Sequence, residues 1–378
     1  MHLLVGLPAA PGVGRGRVWR PRGRAPAPPG PGRVLVAEAL EPNALLALQG
    51  AGLVGLCLGG SAPLSHTVAV ARHLGIPAVV GIGAALDELR GGARVEVDGD
   101  IGIVERGPRG TRHPVLQQEP VPDLPLLASL LHPDEGPAAR AAGAAGVGLL
   151  RLEPGWPDGP PDEDTLTALF IRLVESMEGR PVAVRLHDGP RGTPTLGLRA
   201  VRRLLAAPSP ALDPVLRASV RAARAGPLRL LLPLVTDPAE VVAVRRAVHD
   251  VLRALRGAGA PPALVPMVET PAAAMRAVEI AAVGDAVAVG VMDLAALVAG
   301  AAREEPRLHR LIGPDTVPVR TLLDGVARAA RGAGVPSWVA TPARPAGWLR
   351  TLADLGFDAV SLGLAELRRL GPRRSGGG

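Results

Sequence analysis

The spacing of apolar residues changes part-way along this 378-residue chain. In residues 1–105 they form short runs broken by turns. "GRVLVAEAL", "LVGLCLGG" and "PAVVGIG" read as strands, and Val95, Val97 and Ile101 to Val104 flank an Asp-Gly turn that predicts a hairpin. One helix or two complete this region. Residues 106–126, "RGPRGTRHPVLQQEPVPDLP" onward, are polar and Pro-rich with no period, which predicts an interdomain linker. From 127 to 372 strand-length apolar runs alternate with Ala/Arg/Leu segments of helical period. The runs are "GVGLLRL", "PVAVRLHD", "LRLLLPLV", "ALVPMVE", "AVAVGVMD", "VPSWVA" and "DAVSLG", and a short strand at "TLGLR" makes eight. The pattern predicts an α/β chain: a small β/α domain followed by a (β/α)8 TIM-type barrel, with a doubly wound sheet as the other arrangement. Residues 373–378 read as a disordered tail.

Composition narrows the chemistry. Hydrophobic residues make up 47% and aromatics only 2%, with no Tyr, so the cores must be built from Leu, Val and Ala. The same scarcity counts against single-stranded nucleic-acid binding, which needs stacking platforms. No lysine occurs, and all 42 basic residues are Arg. Walker-type, Schiff-base and lysine general-base chemistry are thereby excluded. The arginines are scattered among acids rather than gathered in a basic tail. Cys57, standing alone, rules out an intrachain disulfide framework. The amino-terminal apolar run is too short for a signal peptide, and Glu279, Asp285 and Asp293 interrupt the Ala-rich stretch 277–302. A soluble, cytoplasmic protein without membrane or nucleic-acid partners is expected.

In a β/α barrel the reactive groups lie at the carboxyl ends of the strands. The residues closing successive apolar runs are Arg151, Arg185, Asp188, Arg199, Glu269 and Asp293, with Arg303 one helical stretch further on. Such residues also occur wherever a strand becomes wet, but six in succession make that reading weaker. Converging guanidiniums suit a small, multiply charged anion, because Arg binds phosphate and carboxylate bidentately. Two carboxylates at neighbouring strand ends suit one hard cation such as Mg²⁺. In the first domain, "GGSAPLSHTVAVARHLGIPAVVG" sets His66 between Ser65 and Thr67, after a glycine turn and before a helical run ending at Gly75. That places the imidazole at a helix N-terminus, where free N–H groups and the dipole favour an anion.

This stretch resembles the phosphohistidine loop of the phosphoenolpyruvate-utilising enzymes. "GVGLLRLE", "RLHDG", "TLGLRAVR", "LLLPLVTDPAE", "VPMVETPAAAM" and "AVGVMDLAALV" follow in the order of the barrel of the enzyme I branch of that family. The resemblance implies a swivelling domain in which His66 carries the phosphoryl group. It implies that Arg151, Arg185, Arg199 and Arg303 bind phosphoenolpyruvate, with Asp188 as the acid beside the second arginine, and that Glu269 and Asp293 hold Mg²⁺. A homodimer through the barrel is implied too. The chain departs from the family pattern at several places. Met292 stands where the family has Asn, and only Arg191 stands near the family's lysine. Val339 falls at about the place of a proton-donating cysteine, and the helical module that binds the phosphocarrier protein is missing from "VWRPRGRAPAPPGPGRVLVAEAL". The function implied is phosphoryl transfer from phosphoenolpyruvate to His66 and onward to an unknown protein or small-molecule acceptor. The alternative is an impaired paralogue acting as a phosphoenolpyruvate-binding sensor or scaffold.

Overall fold

A computed structural model describes residues 2–21, 30–63, 65–107, 122–156, 158–189, 196–257, 259–303, 305–341 and 347–370. Residues 108–121 of the expected linker, Arg191 and the expected tail lie outside the described residues. The chain divides into two compact units, one of residues 1–118 and 299–313, the other of 119–298 and 314–378.

The first unit is built on one mixed eight-stranded sheet. Its strands are β1 (His2–Val5), β2 (Leu7–Ala10), β3 (Val13–Trp19), β4 (Arg33–Ala37), β5 (Leu53–Leu58), β6 (Ala78–Val80), β7 (Arg94–Asp98) and β8 (Ile103–Arg106). They lie in the order β1-β8-β7-β3-β4-β5-β6-β2. β7 and β8 pair antiparallel through Val97 opposite Val104, the hairpin that the alternation around Asp-Gly predicts. β3, β4, β5 and β6 run parallel, so their connections must cross over. One crossover, between β5 and β6, carries the helix His66–Leu74. Leu4, Val18, Val34, Val36, Val79 and Val97 pack with Cys57 into the core. Burial raises the Cys57 thiol far above its ordinary range, so the thiol stays protonated and inert.

The second unit is a closed barrel of eight parallel strands: β9 (Leu126–Leu130), β10 (Val147–Leu150), β11 (Val182–Arg185), β12 (Leu228–Leu232), β13 (Ala263–Val268), β14 (Val287–Gly290), β15 (Ser337–Ala340) and β16 (Ala359–Gly363). β16 pairs with β9 and closes the ring. Seven strands fall on the apolar runs read from the sequence; the eighth does not. Residues 196–199 of "TLGLR" form a bend, with Leu196 and Leu198 exposed. The ring closes instead with "LLASL", an apolar run whose members are mostly buried. An exposed alternation at a rim and a buried strand look alike in four residues of sequence, and burial separates them.

The barrel interior is filled by Leu127, Ala183, Leu231, Val265, Met267 and Ala288 around Trp338. The Trp338 indole N–H donates to the Gly148 carbonyl at 3.0 Å, so its polar edge is satisfied in the core. Three barrel helices begin with one grammar, a short polar cap followed by Pro. Asp213–Pro214, Asp237–Pro238 and Thr270–Pro271 each place a side-chain oxygen on the first free N–H groups. No helix among the described residues is long and apolar enough to cross a membrane.

Candidate active site

In the first unit the helix that begins at His66 is capped by Ser65, whose Oγ accepts from the Val68 N–H at 3.4 Å. The helix stops at Gly75, which takes the left-handed conformation with φ of 69°, a position glycine fills without strain. His66 occupies the first helical position and is exposed. Its two hydroxyl neighbours both bond to backbone. Thr67 Oγ1 donates to the Leu40 carbonyl at 2.6 Å, tying the helix start to the segment after β4. Arg72, nearly two turns on, reaches back and donates to the carbonyls of Ala9 at 2.7 Å and Pro63 at 3.2 Å. The loop before His66 is thus held from both sides while the imidazole faces solvent.

In the second unit the carboxyl ends of the strands gather most of the expected residues. Arg151 directly follows β10, its N–H bonded to the Leu130 carbonyl at 3.0 Å. Arg185 ends β11 and is 8% exposed. Asp188 lies three residues on and takes Arg199 bidentately: Nε donates to Oδ1 at 2.8 Å, and Nη2 bonds Oδ2. The partner of Arg185 is a residue the sequence reading missed. Glu153 Oε1 accepts from Arg185 Nη2 at 2.9 Å and from the Asp188 N–H at 2.8 Å. Its only signal was its place two residues after Arg151. Arg185 Nε and Glu153 Oε2 are buried and have no hydrogen-bond partner among the described residues.

Glu269 follows β13 and is 2% exposed. The Leu234 N–H donates to its Oε2 at 2.8 Å. Leu234 itself has φ of 56°, a strained left-handed residue beside the site. The Glu269 carboxylate crosses Gly290, where an added Cβ would stand 2.3 Å from Oε1. Glycine is required there for this close approach. β14 then runs straight into the helix Val291–Ala299, with Asp293 in its first turn. Arg303 falls in the segment 299–313 that groups with the first unit.

The charges of the barrel rim act on one another. Burial and then Asp293 push the Glu269 carboxyl upward, against Arg185. Burial opposes ionisation of Glu153, but Arg185, the Asp188 N–H and His187 outweigh it and bring the carboxyl down to about 2. Burial likewise works against the Arg185 cation, yet Glu153, Asp188 and Glu269 hold it firmly protonated. The Arg199 guanidinium is also raised, its burial outweighed by Asp188, Asp293 and Glu269. Two desolvated guanidiniums therefore sit among four carboxylates. The excess negative charge and the mutual repulsion of Glu269 and Asp293 would be relieved by a hard cation, and the open donor of Arg185 by an anion.

Comparison with known proteins gives this arrangement its context. Residues 111–370 match the family described as PEP-utilising enzyme, PEP-binding domain, and residues 29–102 match PEP-utilising enzyme, mobile domain. A phosphoenolpyruvate-protein phosphotransferase of Haloferax volcanii is 31% identical over 88% of this chain and 65% of its own length. One from Streptomyces coelicolor is 32% identical, again over 88% of this chain and 65% of its own. A multiphosphoryl transfer protein of Rhodobacter capsulatus is 29% identical over 90% of this chain and 43% of its own. The chain thus spans about 65% of the length of the phosphotransferases it matches.

Proposed function

This chain belongs to the PEP-utilising enzymes, and on that footing we propose that it transfers the phosphoryl group of phosphoenolpyruvate to His66 and onward to a protein or small-molecule acceptor. The observation that carries the reading is the convergence of buried Arg185 and half-buried Arg199 with Glu269 and Asp293 at one end of the barrel. Arg185, with an open Nε, and Arg199 bind the carboxylate and phosphate of the substrate; Arg151 lies at the same strand ends, and the family resemblance adds Arg303. Glu153 and Asp188 hold those guanidiniums in place, so little reorganisation is needed when the anion arrives.

For this transfer His66 must reach the bound substrate. The imidazole attacks phosphorus, the bond from phosphorus to the enol oxygen breaks, and enolpyruvate leaves to take a proton from water at its methylene carbon. Glu269 and Asp293 fit Mg²⁺, being two close, hard oxygen donors whose charges repel until a cation joins them. The ion, when bound, adds positive charge beside the phosphate oxygens. The helix start then suits the phosphorylated imidazole.

A second copy of the chain is the expected partner of the barrel. Exposed Met275 and Val278 beside a groove of about 630 Å³ lined by Gly325, Ala329 and Gly332 support a self-complementary face.

The other reading is a phosphoenolpyruvate-binding sensor or scaffold. Met292, buried beside Asp293, cannot hydrogen-bond phosphate. On β15 the inward positions are Trp338 and Ala340, so Val339 turns away from the interior, and neither Val339 nor Ala340 can give up a proton. Incubation with labelled phosphoenolpyruvate and Mg²⁺ separates the two. Acid-labile label on wild type and none on His66→Ala is expected. Binding of phosphoenolpyruvate without any label at stoichiometric protein leaves the sensor.

A further inference from the structure

Beside the rim, but outside it, lies a cavity of about 290 Å³ between the segment after β11 and the helices Ala200–Ala206 and Pro214–Ala222. Its floor is apolar, from residues such as Ala200 and Leu204. Two opposite charges face it. Asp213 caps the helix Pro214–Ala222, and both cap bonds, from Val215 N at 2.9 Å and Leu216 N at 3.0 Å, fall on Oδ1. The cap therefore leaves Oδ2 unused. Across the cavity Arg203 is exposed and favours the Asp213 anion through space, yet no ion pair among the described residues joins them. Both residues line the cavity, and the two charges are not joined to each other among the described residues.

The other polar groups are already engaged or neutral. His187 Nδ1 lies 3.2 Å from the Gly189 N and Nε2 lies 3.3 Å from the Trp156 carbonyl oxygen. Both imidazole nitrogens are thereby engaged. Ser209 offers a neutral hydroxyl at the lip. Burial raises the Asp213 carboxyl, against the two cap N–H groups, Arg203 and His187, so a cation beside it would be favoured.

We propose that this cavity binds a small zwitterion of the α-amino-acid type, its ammonium on Asp213 Oδ2 and its carboxylate on Arg203. A simple cation would leave Arg203 unanswered, and a simple anion would face Asp213. A ligand carrying both charges on adjacent carbons bridges the gap, with its side chain over Leu204. It would rest against Ala200, whose N–H holds the Asp188 carbonyl at 2.8 Å. The site is independent of the phosphotransfer reading, since neither Asp213 nor Arg203 takes part in it.

Titration calorimetry with each of the twenty L-amino acids, with acetate and with methylammonium tests the assignment on the full chain. At least one amino acid is expected to bind saturably, with acetate and methylammonium at least about tenfold weaker. Asp213→Asn keeps the helix cap, because Asn caps as well as Asp, and Arg203→Gln changes an exposed side chain; circular dichroism confirms both folds. Each variant should weaken the amino acid by about tenfold or more. No saturable amino-acid binding to wild type, or binding unchanged in both variants, overturns the proposal.

Discussion

The two chemical regions of this protein are built in opposite ways. The His66 region is local: a cap, a nine-residue helix and a glycine stop, with Thr67 and Arg72 tying it to neighbouring backbone. Its reactive side chain is exposed and the supporting bonds lie behind it. The barrel rim is dispersed over residues 151–293, and its side chains hold one another: Glu153 with Arg185, Asp188 with Arg199, Leu234 N–H with Glu269. On the proposed reading His66 is a carrier group that must move and be reached, whereas the rim is an anion site that gains strength from burial and preorganisation. Loss of one residue should accordingly abolish function without unfolding in the first region. In the second it should damage both function and stability.

The comparison predicts effects in descending order. His66→Ala should remove all acid-labile labelling while leaving the thermal midpoint within a degree or two of wild type; a large stability loss would make the His66 region as interdependent as the rim. Gly290→Ala drives a Cβ into Glu269 Oε1 and should lower the labelling rate about 100-fold, the cost of misplacing a catalytic group by about 1 Å. Equal rates would remove Glu269 from the proposed cation site. Arg185→Met leaves Glu153 charged, enclosed and unpaired, which should cost about 3–5 kcal/mol in urea unfolding. A change under about 1 kcal/mol would mean that the rim tolerates separation of its pairs.

Glu153→Gln adds a pH signature. The folded carboxyl lies at about 2 against an ordinary 4.5, so its contribution is full above 4.5 and is lost as pH falls through about 2. With the side chain 22% exposed, about 2 kcal/mol is at stake. Wild-type stability should fall more steeply than that of the variant between those limits, and parallel curves would contradict the assignment. The smallest effect belongs to Ser65→Ala, about 0.5–1 kcal/mol by thermal unfolding, since the cap bond is long at 3.4 Å. A loss of several kcal/mol would show that this cap does far more than start one helix.

How much was legible follows from these same differences. Ser65, His66 and Gly75 were readable because helix start and stop signals are short-range, and seven barrel strands because alternating runs repeat. Arg151, Arg185, Glu269 and Asp293 could be placed near the strand ends because they close apolar runs, whereas Arg199 follows a bend rather than the strand the sequence suggested. Glu153 was not found, because a glutamate in a loop has no local mark of being folded back onto a strand two elements away. Asp188 was read as the acid beside Arg185, and it does act on that guanidinium; that its carboxylate also takes Arg199 bidentately was not legible, because the contact depends on how the chain returns eleven residues later.

By itself the sequence determined most of the element types, the capped helix that presents His66 and the order of the charges along the chain, all set by spacing and residue type within a few positions. Tertiary structure alone decided that Leu126–Leu130 closes the barrel and which acid neutralises which arginine. It alone set Arg203 and Asp213 across a cavity. These depend on which distant backbones come within hydrogen-bond reach and which side chains lose their water, and neither is encoded in any short window of the chain.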